Sequence, residues 1–217
     1  MITPTWNRGD NGLLLKTMRS VQGQTHGNYV HIVVDHGSTD STAQMVYYHF
    51  RRDPRVLYTR IDRDPEIRSS SSIANNRGIE LVLNNSYFFD VEYVTFLHSD
   101  DMLPQRSLEL RHNAFSENLG LRMVYGYSVI CDKNMQPFCV IRGLDIKNPH
   151  RMAHKLKKRR RTSFPHHTIT VSKDLLREVG FFDTGLFLPE DRDYSIRTLD
   201  CLTEGQMHRI PEPLYYY

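Results

Sequence analysis

Eight residues, Val94-Thr95-Phe96-Leu97-His98-Ser99-Asp100-Asp101, constrain this chain more than any others. An apolar run ends in two adjacent carboxylates. A short apolar run of this kind reads as a buried strand. An unpaired buried carboxylate is costly, so the two aspartates belong at the strand's exit. In open α/β sheets, ligands bind outside the carboxyl ends of the strands. Two carboxylates there suit a hard divalent cation, which takes oxygen ligands. A solvated Asp-Asp turn is the alternative reading of the same residues.

The rest of the first half alternates strand and helix. Ile2–Thr5 is a strand stub, followed by a loop through Asp10. Leu13, Leu14, Thr17, Met18 and Val21 recur at helical spacing and predict a helix over 11–23, capped by Asp10 or Asn11. His31-Ile32-Val33-Val34 is a β-branched strand. Gly37 permits a turn after it, and Ser38 or Thr39 can cap the next helix, which carries Ala43, Val46, Tyr47 and Phe50. Residues 55–58 form a third strand, 59–71 a polar loop, and Ser72 opens a further helix. The strand at 92–97 follows, then a helix from Pro104 to about Asn118. Strands at 121–130 and 138–142 flank a turn at 132–134. Residues 151–161 hold clustered basic charge and read as a mobile loop. A strand over 168–171, a helix capped by Ser172 and stopped by Gly180, a last helix opened by Glu190-Asp191, a strand at 206–210 and a Pro-bounded tail complete the chain. Strand–helix alternation argues for a mixed, mostly parallel sheet flanked by helices, in one domain.

At 217 residues, one domain is the natural size. A net charge of +3 is too small to argue for nucleic acid, and none is expected. Three cysteines with no C-x-x-C argue against a disulfide scaffold or zinc ribbon and favour a reducing, cytoplasmic setting. No apolar run approaches a membrane span, and Met1-Ile2-Thr3-Pro4 is no signal peptide. Both ends look trimmed, which points to a minimal or truncated version of a longer domain.

Several residues can carry chemistry at the sheet edge. Trp6 follows the first strand and can stack on a nucleobase, or pack under the first helix. Asp35 and His36 follow the second strand; Asp35 can accept a uracil imide N–H, or cap the Gly turn. Glu190-Asp191 at a helix start fits a general base, or simple helix-dipole complementarity. His166 and His167 would face opposite ways in a strand and so cannot easily chelate one metal, though one can line a substrate cleft. The six basic residues within 155–161 suit anionic lipid, a diphosphate or nucleic acid, or form a solvated loop. No aromatics interleave them, which weakens single-strand binding.

Seven motifs in order then resemble the family 2 glycosyltransferases of the GT-A fold, over nearly the whole chain. Thr3-Pro4-Thr5-Trp6-Asn7-Arg8 resembles the family's P-T-Y-N-R, and Ser20-Val21-Gln22-Gly23-Gln24-Thr25 its S-V-x-x-Q-T. Val33 to Thr42 resembles V-V-D-D-G-S-T-D-x-T, and Ala74-Asn75-Asn76-Arg77-Gly78-Ile79 resembles A-R-N-x-G-I. Phe96 to Asp101 resembles the strand ending in D-x-D-D. Val179-Gly180-Phe181-Phe182-Asp183, then Glu190-Asp191 and Arg197, resemble V-G-G-F-D, E-D and a following Arg.

The resemblance implies a GT-A, Rossmann-like fold with a nucleotide-binding half, 1–103, and an acceptor-binding half, 104–217, the latter carrying the basic loop. It implies inverting sugar transfer from a nucleotide-sugar donor, aided by Mn²⁺ or Mg²⁺, in cell-surface glycan or polysaccharide synthesis. UDP-sugar is the first expectation, with dTDP or GDP as alternatives. The acceptor would be a glycan or lipid-linked molecule. The basic loop could then meet the anionic inner membrane face. By position, Pro4, Thr5, Trp6, Asn7, Asp35, His36, Asn76, Arg77 and Asp100 would bind the nucleotide. Asp101 would ligate the metal and Asp191 would be the general base. Glu190, His166 and His167 would lie on the acceptor side. Three residues depart from the pattern. His36 replaces the Asp that reads uracil, His98 the first Asp of D-x-D-D, and Asn75 the Arg before the Asn. A neutral imidazole still accepts from an imide; a protonated one does not. These departures keep open a nucleotide-binding module with little catalysis. A nucleotidyltransferase would want a Gly-rich basic loop after the first strand, which residues 6–10 match poorly.

Overall fold

The computed structural model describes residues 1–64, 71–132, 135–158, 164–186 and 190–217. Strands β1 (Ile2–Thr5), β2 (His31–His36) and β3 (Val56–Ile61) form a parallel sheet in that order. Helix α1 (Leu13–Gln22) joins β1 to β2, and α2 (Thr42–Phe50) joins β2 to β3. Helix α3 (Ser71–Asn84) leads to β4 (Tyr93–Thr95). The amide of Leu97 bonds the Ile2 carbonyl at 2.9 Å, and Phe96 bridges Ile2 in parallel, so β4 runs beside β1. The carboxyl ends of β1, β2 and β4 therefore open on one edge.

Beyond β4, pairing turns mixed. After α4 (Ser107–Glu117), strand β5 (Met123–Cys131) is the hub. Strand β7 (Thr170–Ser172) lies antiparallel between β4 and the start of β5. Strand β6 (Pro137–Ile141) pairs antiparallel with the end of β5, and β8 (Met207–Tyr216) runs parallel along it. Helices α5 (Pro149–Lys158), α6 (Lys173–Val179) and α7 (Glu190–Asp200) complete the fold. The main core cluster spans both sheets, from Ile2, Ile32 and Val34 to Val94, Tyr125 and Leu175.

Two residues show how local sequence sets this packing. A Cβ on Gly78 would lie 2.5 Å from Ile2 Cγ2, so glycine lets α3 press on β1. Gln24 accepts from the Leu108 amide and donates to the Ser20 and Pro104 carbonyls, tying α1 to α4.

Four sequence expectations change. The basic stretch is helical through Lys158 rather than a mobile loop; residues 159–161 lie outside the described set. Met152, Ala153 and Leu156 sit at helical spacing and are buried, which outweighs the repulsion of exposed lysines. The tail after 210 continues as β8 to Tyr216 despite Pro211 and Pro213, because the register against β5 shifts there. The strand expected over 168–171 starts only at Thr170, behind a 3₁₀ turn over His166–Thr168. Helix starts also differ. Gly12 and Ser41 occupy the caps of α1 and α2 without side-chain capping bonds; Asn11 still accepts from Leu13 N–H, and Asp40 accepts from Thr42 N–H. Ser172 does cap α6, and Gly180 ends it at φ 76°. Two of the three residues of the turn at 132–134 lie outside the described set.

Candidate active site

At the shared edge a cleft of about 230 Å³ is lined by Pro4 and Thr5 of β1, Trp6 and Arg8 of the loop after it, His36, Ser71 and Ala74, and His98, Ser99 and Asp100 of the β4 loop. A second, smaller cavity of about 40 Å³ holds His98, His166, His167 and Asp191 among its walls. His98 lines both. A larger cavity, about 270 Å³, opens at the amino ends of the strands and contains none of the expected site residues.

The β1 and β2 loops are stapled together. Asn7, at φ 49°, accepts from Thr39 N–H, and its own amide donates to Ser38 Oγ at 2.9 Å. Asp35 is fully buried. One of its oxygens accepts from Ser38 N–H at 2.8 Å; the other accepts from Tyr58 Oη at 2.5 Å and lies 3.9 Å from Arg60. Its turn-capping reading is thus realised, and both oxygens are engaged. Burial and then the Asp35 carboxylate push the Tyr58 phenol up. His36 lines the cleft; burial and the Arg63 charge hold its imidazole below the ordinary value, against Asp35. Trp6 does not pack away under α1: it is 43% exposed, with the Arg63 guanidinium 4.0 Å above its ring.

After β4, one ligand atom each of His98, Asp100 and Asp101 fall within 4.8 Å of one another. Nitrogen and carboxylate oxygens in that span fit a divalent cation of the Mn²⁺ type. Arg8 donates to Asp100 at 3.0 Å, and the Tyr215 hydroxyl donates to Asp101 at 2.7 Å while accepting from His98 N–H. Burial raises the Asp101 carboxyl to about 6, opposed by the Tyr215 bond and by His98 and reinforced by Asp100.

Around the smaller cavity, Asp191 opens α7. His166 Nδ1 meets Ser195 Oγ at 2.5 Å; burial lowers this imidazole's proton affinity and the Asp191 charge opposes that. His167 packs against the Tyr215 and Tyr217 rings, and burial lowers it to about 3. Glu190 accepts from Ser71, joining α7 to α3.

Two expected nucleotide residues stand elsewhere. Asn76 exchanges two hydrogen bonds with the Phe182 backbone, locking α3 to the loop after α6. Arg77 pairs with Glu80 on the exposed side of α3. Conversely, the residue reading passes over Arg8, Tyr58, Arg63, Ser71 and Tyr215, and gives His98 no ligand role. Arg8 carries a signal, as the last residue of the P-T-W-N-R stretch. Tyr215 carries none, being 114 residues from its partner Asp101.

Comparison with known proteins matches this geometry to a family. The family model "Glycosyl transferase family 2" matches residues 1–179. The putative teichuronic acid biosynthesis glycosyltransferase TuaG of Bacillus subtilis (strain 168) is 28% identical over 130 residues, 60% of this chain and 46% of that protein. The chain thus spans less than half of that relative. Among solved structures, S. aureus TarS 1–349 in complex with UDP superposes with TM-score 0.73 at 17% identity, over 100% of this chain and 59% of that one. The mannosyltransferase PcManGT of Pyrobaculum calidifontis, in complex with GDP-Man and Mn²⁺, superposes at 0.61 and 16% identity, over 100% and 55%. These likenesses bear out the mixed α/β, GT-A architecture. By its motifs, its fold and the family match across residues 1–179, the chain belongs to glycosyl transferase family 2.

Proposed function

We propose that this chain is the catalytic domain of an inverting, metal-assisted glycosyltransferase. It would move a sugar from a nucleoside-diphosphate sugar to an acceptor hydroxyl in cell-surface glycan synthesis. The observation that carries this reading is His98, which lines both the cleft beside Trp6 and the cavity that holds Asp191. A donor in the first would present its anomeric carbon toward the second. Residues 1–103 then serve the nucleotide and 104–217 the acceptor.

Trp6 offers a stacking face and His36 a polar edge to the base. Arg8 can leave Asp100 for the diphosphate, a planar donor fork meeting anionic oxygens. His98, Asp100 and Asp101 would hold the cation, which when bound neutralises charge on the leaving diphosphate. Asp191 takes the acceptor hydroxyl's proton as its oxygen bonds the anomeric carbon and the carbon–phosphate-oxygen bond breaks. His166, kept neutral by burial, flanks that carboxylate. UDP is the first nucleotide to test, since a TarS structure holds UDP; GDP follows from the PcManGT structure, and dTDP completes the panel. The acceptor is a glycan or a lipid-linked molecule. The basic face of α5 supports contact with an anionic leaflet from the cytoplasmic side.

Substituting Asp191→Asn should abolish transfer from UDP-GlcNAc or GDP-Man to a glycan acceptor panel while calorimetric UDP binding with Mn²⁺ survives. Full activity in that variant would sink the base assignment. Nucleotide binding without turnover by the native protein on any acceptor would favour a binding module. The imidazole ligand has its own test: Mn²⁺ bound to the native protein should show nitrogen hyperfine coupling that His98→Asp removes.

A further inference from the structure

We propose that Arg63 is the positioning residue of a base-stacking platform: it backs the Trp6 ring and keeps the ring's opposite face turned to the cleft. The proposal rests on the nucleotide reading above. Three independent observations carry it. The guanidinium carbon lies 4.0 Å from the centre of the Trp6 ring, a cation–π contact. Trp6 lines the cleft and is 43% exposed, so ring surface stays open to a ligand with the cation in place. Arg63 Nε is buried with no hydrogen-bond partner among the described residues. A guanidinium whose Nε–H is buried without a partner has its charge compensated by the π face it lies against.

The backbone shows why Arg63 stays there. A Cβ on Gly37 would lie 2.8 Å from Arg63 Cβ and 3.0 Å from its amide nitrogen, and Gly37 itself has φ 69°. Only glycine lets the chain after β3 rest directly on the β2 turn. Arg63 is thereby anchored to the loop that carries His36, while its head reaches the loop that carries Trp6. One side chain sets the spacing between the stacking ring and the polar group that faces the base edge. With Arg63 in place the base completes a three-layer stack of guanidinium, indole and nucleobase, and the indole need not be ordered by the ligand.

Trp6 is the single tryptophan, so its fluorescence reports on the platform alone. The intact protein is titrated with UDP and with GDP, each with Mn²⁺, alongside Arg63→Ala and Arg63→Lys. Free Arg63→Ala should show red-shifted emission and lower anisotropy, and both nucleotides should bind about fivefold or more weakly. Arg63→Lys, which restores a cation over the ring, should recover much of both signals. A melting temperature near the native value separates this from misfolding; should Arg63→Ala not fold, Arg63→Lys and Arg63→Gln carry the comparison. Unchanged emission and affinity in Arg63→Ala would overturn the proposal. Tighter binding would overturn it too, by making Arg63 a plug. If no nucleotide alters native Trp6 emission, the nucleotide reading fails; the emission and anisotropy of free Arg63→Ala still decide the platform.

Discussion

At the scale of single residues, the site holds groups that folding alone would not choose. Asp101 is the clearest. Its carboxyl is raised from 3.8 to about 6, so the folded protein binds the extra proton between those values. Stability therefore falls as pH rises through that window, by about 3 kcal/mol in all. Asp101→Asn removes the buried charge and should raise the melting temperature at pH 7, while Mn²⁺ affinity, read by calorimetry, collapses. Native Mn²⁺ affinity should itself weaken below about pH 6, as Asp101 protonates. Residues of this kind were only half legible. Trp6, His36, Asp100 and Asp101 follow strands whose parallel order the alternation shows, so their shared edge could be read from sequence. The state of Asp35 could not, because Tyr58 reaches it from a neighbouring strand 23 residues on. Nor could the contact of Asn76, whose amide exchanges two hydrogen bonds with the Phe182 backbone 106 residues on.

At the scale of elements, helix α3 and helix α5 make contrasting predictions. Gly78→Ala would thrust a methyl group into Ile2, at a cost of about 1–3 kcal/mol. Because α3 carries Ser71 and Ala74 of the cleft, UDP affinity should fall with the melting temperature. On α5, Leu156→Ala should cost about 2–4 kcal/mol, whereas Lys155→Gln and Lys158→Gln should each change stability by under about 0.5 kcal/mol; chemical denaturation measures all three. This helix was misread because seven basic residues over 151–161 drew the reading toward charge. The buried Met152, Ala153 and Leu156 are only three positions, though their spacing is helical. Strand β8 was cut short for a similar reason. Prolines ordinarily interrupt a strand, and a register shift that tolerates them is set by β5, not by β8's own residues.

At the scale of the whole molecule, buried neutral groups set the response to acid. His31, bonded to Thr3, and His167 are both depressed by burial from 6.5 to about 3. The unfolded chain takes up these protons first, so stability is full above 6.5 and is lost as pH falls toward 3. Each histidine should cost on the order of 2 kcal/mol by pH 5, partly offset by Asp101. Urea midpoints between pH 7 and 5 test this, and His31→Asn should flatten the slope. Arg111 binds the far half together. Its guanidinium reaches Thr95, Thr168, Thr170 and Leu214, spanning β4, β7 and β8, with Ser107 of its own helix as a further acceptor. The same last strand delivers Tyr215, whose hydroxyl joins Asp101 to His98. During synthesis the ribosome must release more than a hundred residues after Asp101 before that hydroxyl exists to be used. A nascent chain stalled before β8 thus lacks this hydroxyl at the proposed cation site, and should bind Mn²⁺ weakly however well its first sheet has formed. On the proposed reading, cation binding is timed by translation and arrives with β8.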